Sequence, residues 1–215
     1  MENVMNIYEG VENRQVSGRG VGTEIMVSRQ AQEVQAAMVI AKKFPRNEVE
    51  SFNRIMQACK RRSLAEQAMY EYPRGTTKVT GPSIRLAEAM AQNWGNIDFG
   101  ITELEQRSGE SQVMAYAWDL ETNTRQTKIF AVPHVRSTKQ GNKALTDPRD
   151  IYEMIANQGA RRLRACILGV IPGDVIDAAI AQCEATLTDS NGGVPLEDLI
   201  RSSTATLQEK YGITI

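Results

Sequence analysis

The sequence predicts an α+β fold in which N-terminal helices precede a three-stranded antiparallel β-meander, a long basic helix and a short helical C-terminal tail. Changes in the hydrophobic period support this prediction. Apolar residues recur at helical spacing before Gly95, alternate with polar residues over 97–132, and return to helical spacing over 148–170. Short turns at 108–109 and 121–124 join the alternating segments, which is typical of sequential antiparallel strands.

Four helices are predicted before the first strand, at about 28–44, 47–62, 63–70 and 82–94. Pro45 ends the first helix, and Asn47 with Glu50 three residues later forms a capping box for the second. Pro82 suits the first turn of the fourth helix. The segment 72–81, between the third and fourth helices, is predicted to be a basic loop.

The second strand places Met114, Tyr116, Trp118 and Leu120 on one side. Six aromatic residues are available as stacking platforms, although most are expected only to pack in the core: Tyr70, Tyr72, Trp94, Tyr116, Trp118 and Tyr152. After the third strand, a polar and basic loop over 135–147 leads to the long helix.

The long helix, 148–170, follows Thr146 or Asp147 as its cap. One apolar sector contains the residues expected to face the core, which are Ile151, Ile155, Leu163, Cys166 and Val170. The opposite side carries Asn157, Arg161 and Arg164. Arg162 lies at the edge of the apolar sector. A further helix over 174–187 and a last amphipathic segment complete the chain.

The formal net charge of −1 hides a segregation of charge along the chain. Residues 28–172 carry a net charge of +6, whereas residues 1–27 carry −2 and residues 173–215 carry −5. Nine of the basic residues lie in 125–164, against three acidic ones. Such a basic centre suggests a polyanion site, with acidic ends that compete for it or bind partners. A solvated basic loop on an ordinary enzyme is the open alternative.

Several functional classes lack the residues that they need. His134 is the only histidine and no G-x-S-x-G motif accompanies it, so it is expected to be a phosphate contact or a bystander. The separated Cys59, Cys166 and Cys183 are expected to be reduced, buried thiols of a cytosolic protein rather than zinc ligands. The loop 75–81 has P-loop residue types in the wrong order, so no nucleotide cofactor is expected. No apolar run has the length of a membrane span, and the N-terminus lacks the features of a secretory signal.

A metal-dependent nuclease is the enzymatic alternative. Its ligands would be carboxylates on or near the strands, namely Asp98, Glu103, Glu105, Asp119 and Glu121. None of them is followed two positions later by the lysine that such sites often use. These carboxylates are better explained as exposed charges on the strands. Together with the other missing motifs, this indicates a binding protein without catalytic residues or a metal.

Two segments, 62–100 and 116–172, resemble phage-encoded single-strand DNA annealing proteins. These are the recombinases of the RecT, Red-beta and Sak types, in the same superfamily as the eukaryotic annealing mediator. The resemblance implies a β-β-β-α core, a positively charged groove for single-stranded DNA, and assembly into rings or helical filaments. It also implies annealing without ATP in phage homologous recombination, in the bacterial cytoplasm, with a phage exonuclease and the host single-strand-binding protein as further partners.

The resemblance places the DNA contacts first on the basic helix, where 160–167 matches the family's pattern and contains Arg161, Arg162 and Arg164. The sheet is expected to form the other wall of the groove. The remaining candidates are basic or polar residues of the loops, the third strand and nearby helices: Lys60, Arg61, Arg74, Lys78, Arg125, Lys128, His134, Arg136, Lys139, Lys143, Arg149 and Asn157.

The chain is accordingly predicted to comprise a flexible arm (1–27), a DNA-binding and oligomerisation domain (28–188), and a linker with a short C-terminal helix (189–215). A module that coats single-stranded DNA or RNA without annealing it is the second open alternative.

Overall fold

The structure is a computed structural model, and it describes residues 21–74, 77–138, 141–190 and 196–212. The helices of these residues are α1 (Val21–Lys43), α2 (Glu48–Cys59), α3 (Arg62–Ala65), α4 (Ile84–Trp94), α5 (Pro148–Leu168), α6 (Gly173–Ser190) and α7 (Leu196–Tyr211). The strands are β1 (Met69–Arg74), β2 (Thr77–Pro82), β3 (Ile97–Arg107), β4 (Glu110–Asp119), β5 (Thr124–Pro133), β6 (Val135–Thr138) and β7 (Gly141–Ala144). No helix in the described part has the length and apolar character needed to cross a membrane.

The α+β class is confirmed, but the strands form three small antiparallel sheets rather than one meander that leads directly into a long helix. β1 pairs with β2, β3–β4–β5 form a three-stranded sheet, and β6 pairs with β7. The segments 72–81 and 135–147, predicted as loops, therefore contain most of two hairpins. Each of these strands has only four to six residues, so a few alternating side chains are weak evidence against a loop.

The chain divides into two units, 1–43 and 44–215. The described part of the first unit is α1, which begins at Val21 and so includes the last residues of the predicted arm 1–27. Residues 1–20 of that arm lie outside the described residues, as do residues 191–195 of the predicted linker.

Side-chain caps fix the starts of three helices in the second unit. Asn47 accepts a hydrogen bond from the backbone N–H of Glu50 at 3.2 Å, as its capping role predicts. Asp147 caps α5 by accepting from the backbone N–H of Arg149 at 2.8 Å. Ser83 caps α4, so this helix starts after Pro82 rather than at it.

Helix α5 packs on one side of the three-stranded sheet, and small residues let it approach closely. A Cβ on the buried Gly159 would lie 2.8 Å from a side-chain carbon of Ile101. Ala115 and Ala117 of β4 are fully buried on this side, and the Cys166 thiol donates to the carbonyl of Ala115 at 3.5 Å. The packing fixes the rotation of α5 about its axis.

The other side of the sheet, which we call the open face, carries the large side chains of β4. Met114, Tyr116 and Trp118 are half-buried there, because the alternating residues Ala115 and Ala117 occupy the space under α5. The expectation that these aromatic residues only pack in the core is therefore not met.

The three cysteines are buried and form no disulfide, as expected for reduced thiols. Burial raises the pKa of the Cys166 thiol. The hydrogen bond with the Cys59 thiol, together with burial, raises the pKa of Cys183. The same hydrogen bond lowers the pKa of Cys59, and all three thiols are buried in the core.

A buried ion cluster joins the segment before α2 to the turn between β4 and β5. The Arg46 guanidinium forms salt bridges with Asp119 and, at 2.9 Å, with Glu121. The side chains of Arg46 and Asp119 are 5% and 4% exposed, and that of Glu121 is 17% exposed. The Arg46 backbone N–H donates to both carboxylate oxygens of Glu121, and the guanidinium lies 5.2 Å from the centroid of the Trp94 ring.

Removing the Arg46 side chain is expected to destabilise the protein strongly, because two buried carboxylates lose their common partner. We expect Arg46→Ala to lower the free energy of unfolding by about 3–5 kcal/mol in urea titrations. Arg62→Ala is the matched control, since Arg62 forms an exposed pair with Glu66 that contributes at most about 1 kcal/mol. Equal losses in the two variants would contradict a structural role for the cluster.

The cluster also predicts a loss of stability in acid. Burial alone would raise the pKa of Glu121, but hydrogen bonds from Asn96 and from Arg46 hold it below its ordinary value of 4.5. The stabilisation that the ionised Glu121 gives to the folded protein is therefore complete above its ordinary pKa. It is lost as the pH falls through the lowered pKa that Glu121 has in the folded protein. We expect Glu121→Gln to be less stable at neutral pH and to lose less stability on acidification. An acid dependence identical to that of the wild type would show that Glu121 does not contribute.

Candidate nucleic-acid interface

The β1–β2 hairpin presents two stacked aromatic rings. Tyr70 lies directly opposite Gly81 in the hairpin, and a Cβ on Gly81 would lie 2.8–3.0 Å from the tyrosine ring and its hydroxyl. The missing side chain therefore lets the Tyr70 ring lie across the hairpin backbone. The Tyr72 ring stacks beside it with a centroid distance of 5.9 Å and an interplanar angle of 17°, and Tyr72 is 46% exposed.

Two arginines of α5 face these rings. The buried side of α5 contacts the sheet and core, so Arg161 and Arg164 project from a different side of the helix. The guanidinium carbon of Arg164 lies 4.0 Å from the centroid of the Tyr70 ring, within cation–π range. Arg161 is exposed to solvent.

The rings and the arginines line one groove of about 490 Å³, formed by Tyr70, Glu71, Tyr72, Arg161 and Arg164. We call it the Tyr–Arg groove. Its carboxylate, Glu71, forms a 2.8 Å salt bridge with Lys78, and that contact raises the pKa of Lys78. The charge that the groove offers to a ligand is therefore positive. Aromatic platforms beside cationic side chains suit a single nucleic-acid strand, whose bases stack and whose phosphates bind arginine.

The structure brings together only part of the predicted site. Arg161 and Arg164 line the Tyr–Arg groove. Lys78 does not line it, but it forms a salt bridge with Glu71, which does. The expected wall is corrected: the β1–β2 hairpin, not the three-stranded sheet, faces the two arginines.

Arg162 turns the other way, towards the sheet. Its guanidinium lies 4.5 Å from the centroid of the Phe130 ring, and it donates to the carbonyl and the side chain of Gln158. Arg162 therefore holds α5 against β5, as its place at the edge of the apolar sector suggested.

Several other candidates do not line the Tyr–Arg groove. Arg136 forms a 3.2 Å salt bridge with Asp150, and Arg149 forms one of 3.2 Å with Glu153. The remaining described candidates that are exposed are Lys60, Arg61, Arg125, Lys128, Lys143 and Asn157. The side chain of Arg74 and the whole of Lys139 lie outside the described residues.

His134 is not a surface residue, which corrects its proposed contact with phosphate. It is 6% exposed, and its Nε2 is hydrogen-bonded to the buried Ser111 hydroxyl at 2.8 Å. Its backbone N–H donates to the carbonyl of Gly109. His134 therefore joins the end of β5 to the turn between β3 and β4.

Four of the five carboxylates that a nuclease site would use already have partners in the fold. Asp119 and Glu121 bind Arg46, and Glu105 forms a 2.7 Å salt bridge with Arg107. Asp98 accepts a hydrogen bond from the Tyr116 hydroxyl at 3.5 Å. These four carboxylates are thus explained by packing and charge pairing.

Tyr70 and Tyr72 are two of the six aromatic residues available as platforms, but the sequence does not single them out as site residues. Tyr70 was assigned to the end of a helix and Tyr72 to a loop. The alternation of Tyr70 and Tyr72 about Glu71, with Gly81 as the glycine across from Tyr70, is the signal that could have indicated the aromatic side of this hairpin.

Comparisons with protein families, with curated proteins and with solved structures find no match to this chain.

Proposed function

We propose that this chain binds single-stranded DNA in the Tyr–Arg groove and promotes annealing of complementary strands without ATP. The observation that carries the proposal is that Arg161 and Arg164 face the stacked rings of Tyr70 and Tyr72 across one groove. Arg161 binds phosphate, Tyr72 offers an exposed ring to a base, and Arg164 is positioned by Tyr70. The resemblance to phage annealing proteins supports the same function, in homologous recombination.

Annealing needs no chemical energy source, which fits the missing P-loop. Pairing of complementary strands is downhill by stacking, on the order of 1.4 kcal/mol per base-pair step. The protein's task is kinetic, because it has to neutralise phosphates and hold a strand extended while the register is sampled.

An oligomer is part of the proposal, because one groove contacts few nucleotides. Single-strand modules cover roughly 4–16 nucleotides each. Several subunits in a ring or a helical filament present a longer strand and multiply weak contacts through effective concentration. Exposed apolar residues on α7, namely Leu199, Ile200, Leu207 and Tyr211, offer surface for such association.

Replacing the groove arginines is expected to weaken binding of all single-stranded sequences alike. Arg161→Ala and Arg164→Ala should each flatten the slope of log affinity against log salt by about 0.7 for a lost phosphate contact. Fluorescence anisotropy with labelled oligonucleotides measures both quantities. Arg85→Ala is the control, since Arg85 is an exposed helical arginine of α4 outside the groove. Unchanged slopes in folded groove variants would place the binding site elsewhere.

The proposed activity predicts that complementary oligonucleotides pair faster with the protein, without ATP, and only where the protein is oligomeric. The annealing rate is measured by fluorescence against protein concentration, beside mass photometry of the same samples. A coating protein would instead slow pairing, and a nuclease would destroy labelled DNA in a magnesium-dependent manner. Full activity of a monomer, or a requirement for ATP, would also contradict the proposal.

A further inference from the structure

The open face of the three-stranded sheet carries a second aromatic surface. Tyr116 and Trp118 of β4 are half-buried on this face, and the neighbouring Ile129 of β5 is 58% exposed. Met114 lies directly opposite Ile129 in the sheet register. Large rings and apolar side chains thus share a side of the sheet that faces away from α5.

The Tyr116 ring lies flat along the sheet. Tyr116 is directly opposite Gly100 of β3, and a Cβ on Gly100 would lie 3.3–3.5 Å from the ring and its hydroxyl. The hydroxyl donates to Asp98 at 3.5 Å, which holds the ring by its outer end. A flat ring over a glycine presents its π-face outwards, in the orientation that stacking requires.

A guanidinium lies over both rings. The guanidinium carbon of Arg125 is 5.7 Å from the centroid of the Tyr116 ring and 5.1 Å from that of Trp118. The indole N–H of Trp118 donates to Asn123 at 3.0 Å, which fixes its plane. Within the part of the chain that the structure describes, no carboxylate forms a salt bridge with Arg125, so its charge is available to a phosphate.

The same arrangement of residues occurs in the Tyr–Arg groove. There Tyr70 lies over the cross-strand Gly81, and the guanidinium of Arg164 lies over its ring. In both places a glycine makes room for a tyrosine ring, a second aromatic ring lies alongside, and an arginine contacts the ring. The two surfaces are on different sheets, and α5 contacts only one side of the three-stranded sheet.

We propose that the open face is a second contact surface for single-stranded DNA, formed by Tyr116, Trp118 and Arg125. The inference rests on the proposed function and deepens it: the Tyr–Arg groove holds one strand while the open face holds the strand that is to pair with it. Arg125 leaves the two rings to bind a phosphate, and bases take its place in stacking on Tyr116 and Trp118. The flat rings and the available guanidinium favour a nucleic-acid strand over a protein partner.

Substitution of Arg125 tests the proposal through the stoichiometry of binding. We expect Arg125→Gln to bind oligo-dT in the groove with unchanged affinity. The open face should bind about tenfold more weakly, as for the loss of one contact, so fewer nucleotides are bound per subunit at the concentration that just saturates the wild type. Annealing is expected to be about tenfold slower. Arg107→Gln is the matched control, because Arg107 is an exposed arginine of the same sheet that lies at the end of β3. Its stoichiometry and annealing rate are expected to match the wild type.

Tryptophan fluorescence gives a second, direct readout. The chain has two tryptophans, and Trp94 is 5% exposed whereas Trp118 is half-buried. Oligo-dT is expected to quench the wild-type emission, and Trp118→Phe is expected to abolish that quenching.

The other outcomes overturn the inference in distinguishable ways. Unchanged stoichiometry and annealing in Arg125→Gln would overturn the second surface and leave the proposed function intact. Dissociation of the oligomer in mass photometry, with unchanged nucleotides per subunit, would show that the open face binds another subunit. Failure of the wild-type protein to bind any single strand would instead overturn the proposed function itself.

Discussion

The close approach of α5 to the three-stranded sheet is the constraint on which the rest of the structure depends. Gly159 leaves no room for a side chain above Ile101, and small alanines of β4 lie beneath the helix. Because the rotation of α5 is fixed by this contact, Arg161 and Arg164 have to face the β1–β2 hairpin. The same small residues displace the bulky side chains of β4 to the opposite side of the sheet. One packing requirement thus determines both aromatic surfaces.

The arginines that the structure describes perform different tasks, which their number alone does not reveal. Arg46 is a buried structural residue that neutralises two carboxylates. Arg162 stacks on Phe130 and braces a helix against a strand. Arg161 and Arg164 line an open groove, where their charge is offered to a ligand. A basic segment therefore indicates a polyanion site only after the guanidinium groups used by the fold have been assigned.

Local signals in the sequence predicted much of the fold. The caps at Asn47 and Asp147 and the change of period after Gly95 depend on neighbouring residues, so the sequence shows them directly. The Arg46 cluster could not be predicted, because the two carboxylates lie 73 and 75 residues away along the chain. A single arginine also gives no periodic pattern in the sequence. For the site, helical geometry placed Arg161 and Arg164 on one side, but it did not identify the hairpin opposite. That pairing depends on tertiary packing, which a single sequence does not show.

The cation–π contact between Arg164 and Tyr70 has a consequence for the thermodynamics of recognition. A free arginine side chain loses up to about 2 kcal/mol of rotamer entropy when it is immobilised on a ligand. The Tyr70 ring already restricts the Arg164 guanidinium in the unliganded protein, so much of that loss belongs to folding rather than to binding. Arg161 has no such ring above it in the described structure and must be ordered by the ligand. Under the proposed function, the two arginines of one groove thus differ: Arg164 is an anchor that is ordered before a strand arrives, whereas Arg161 is ordered by the strand itself.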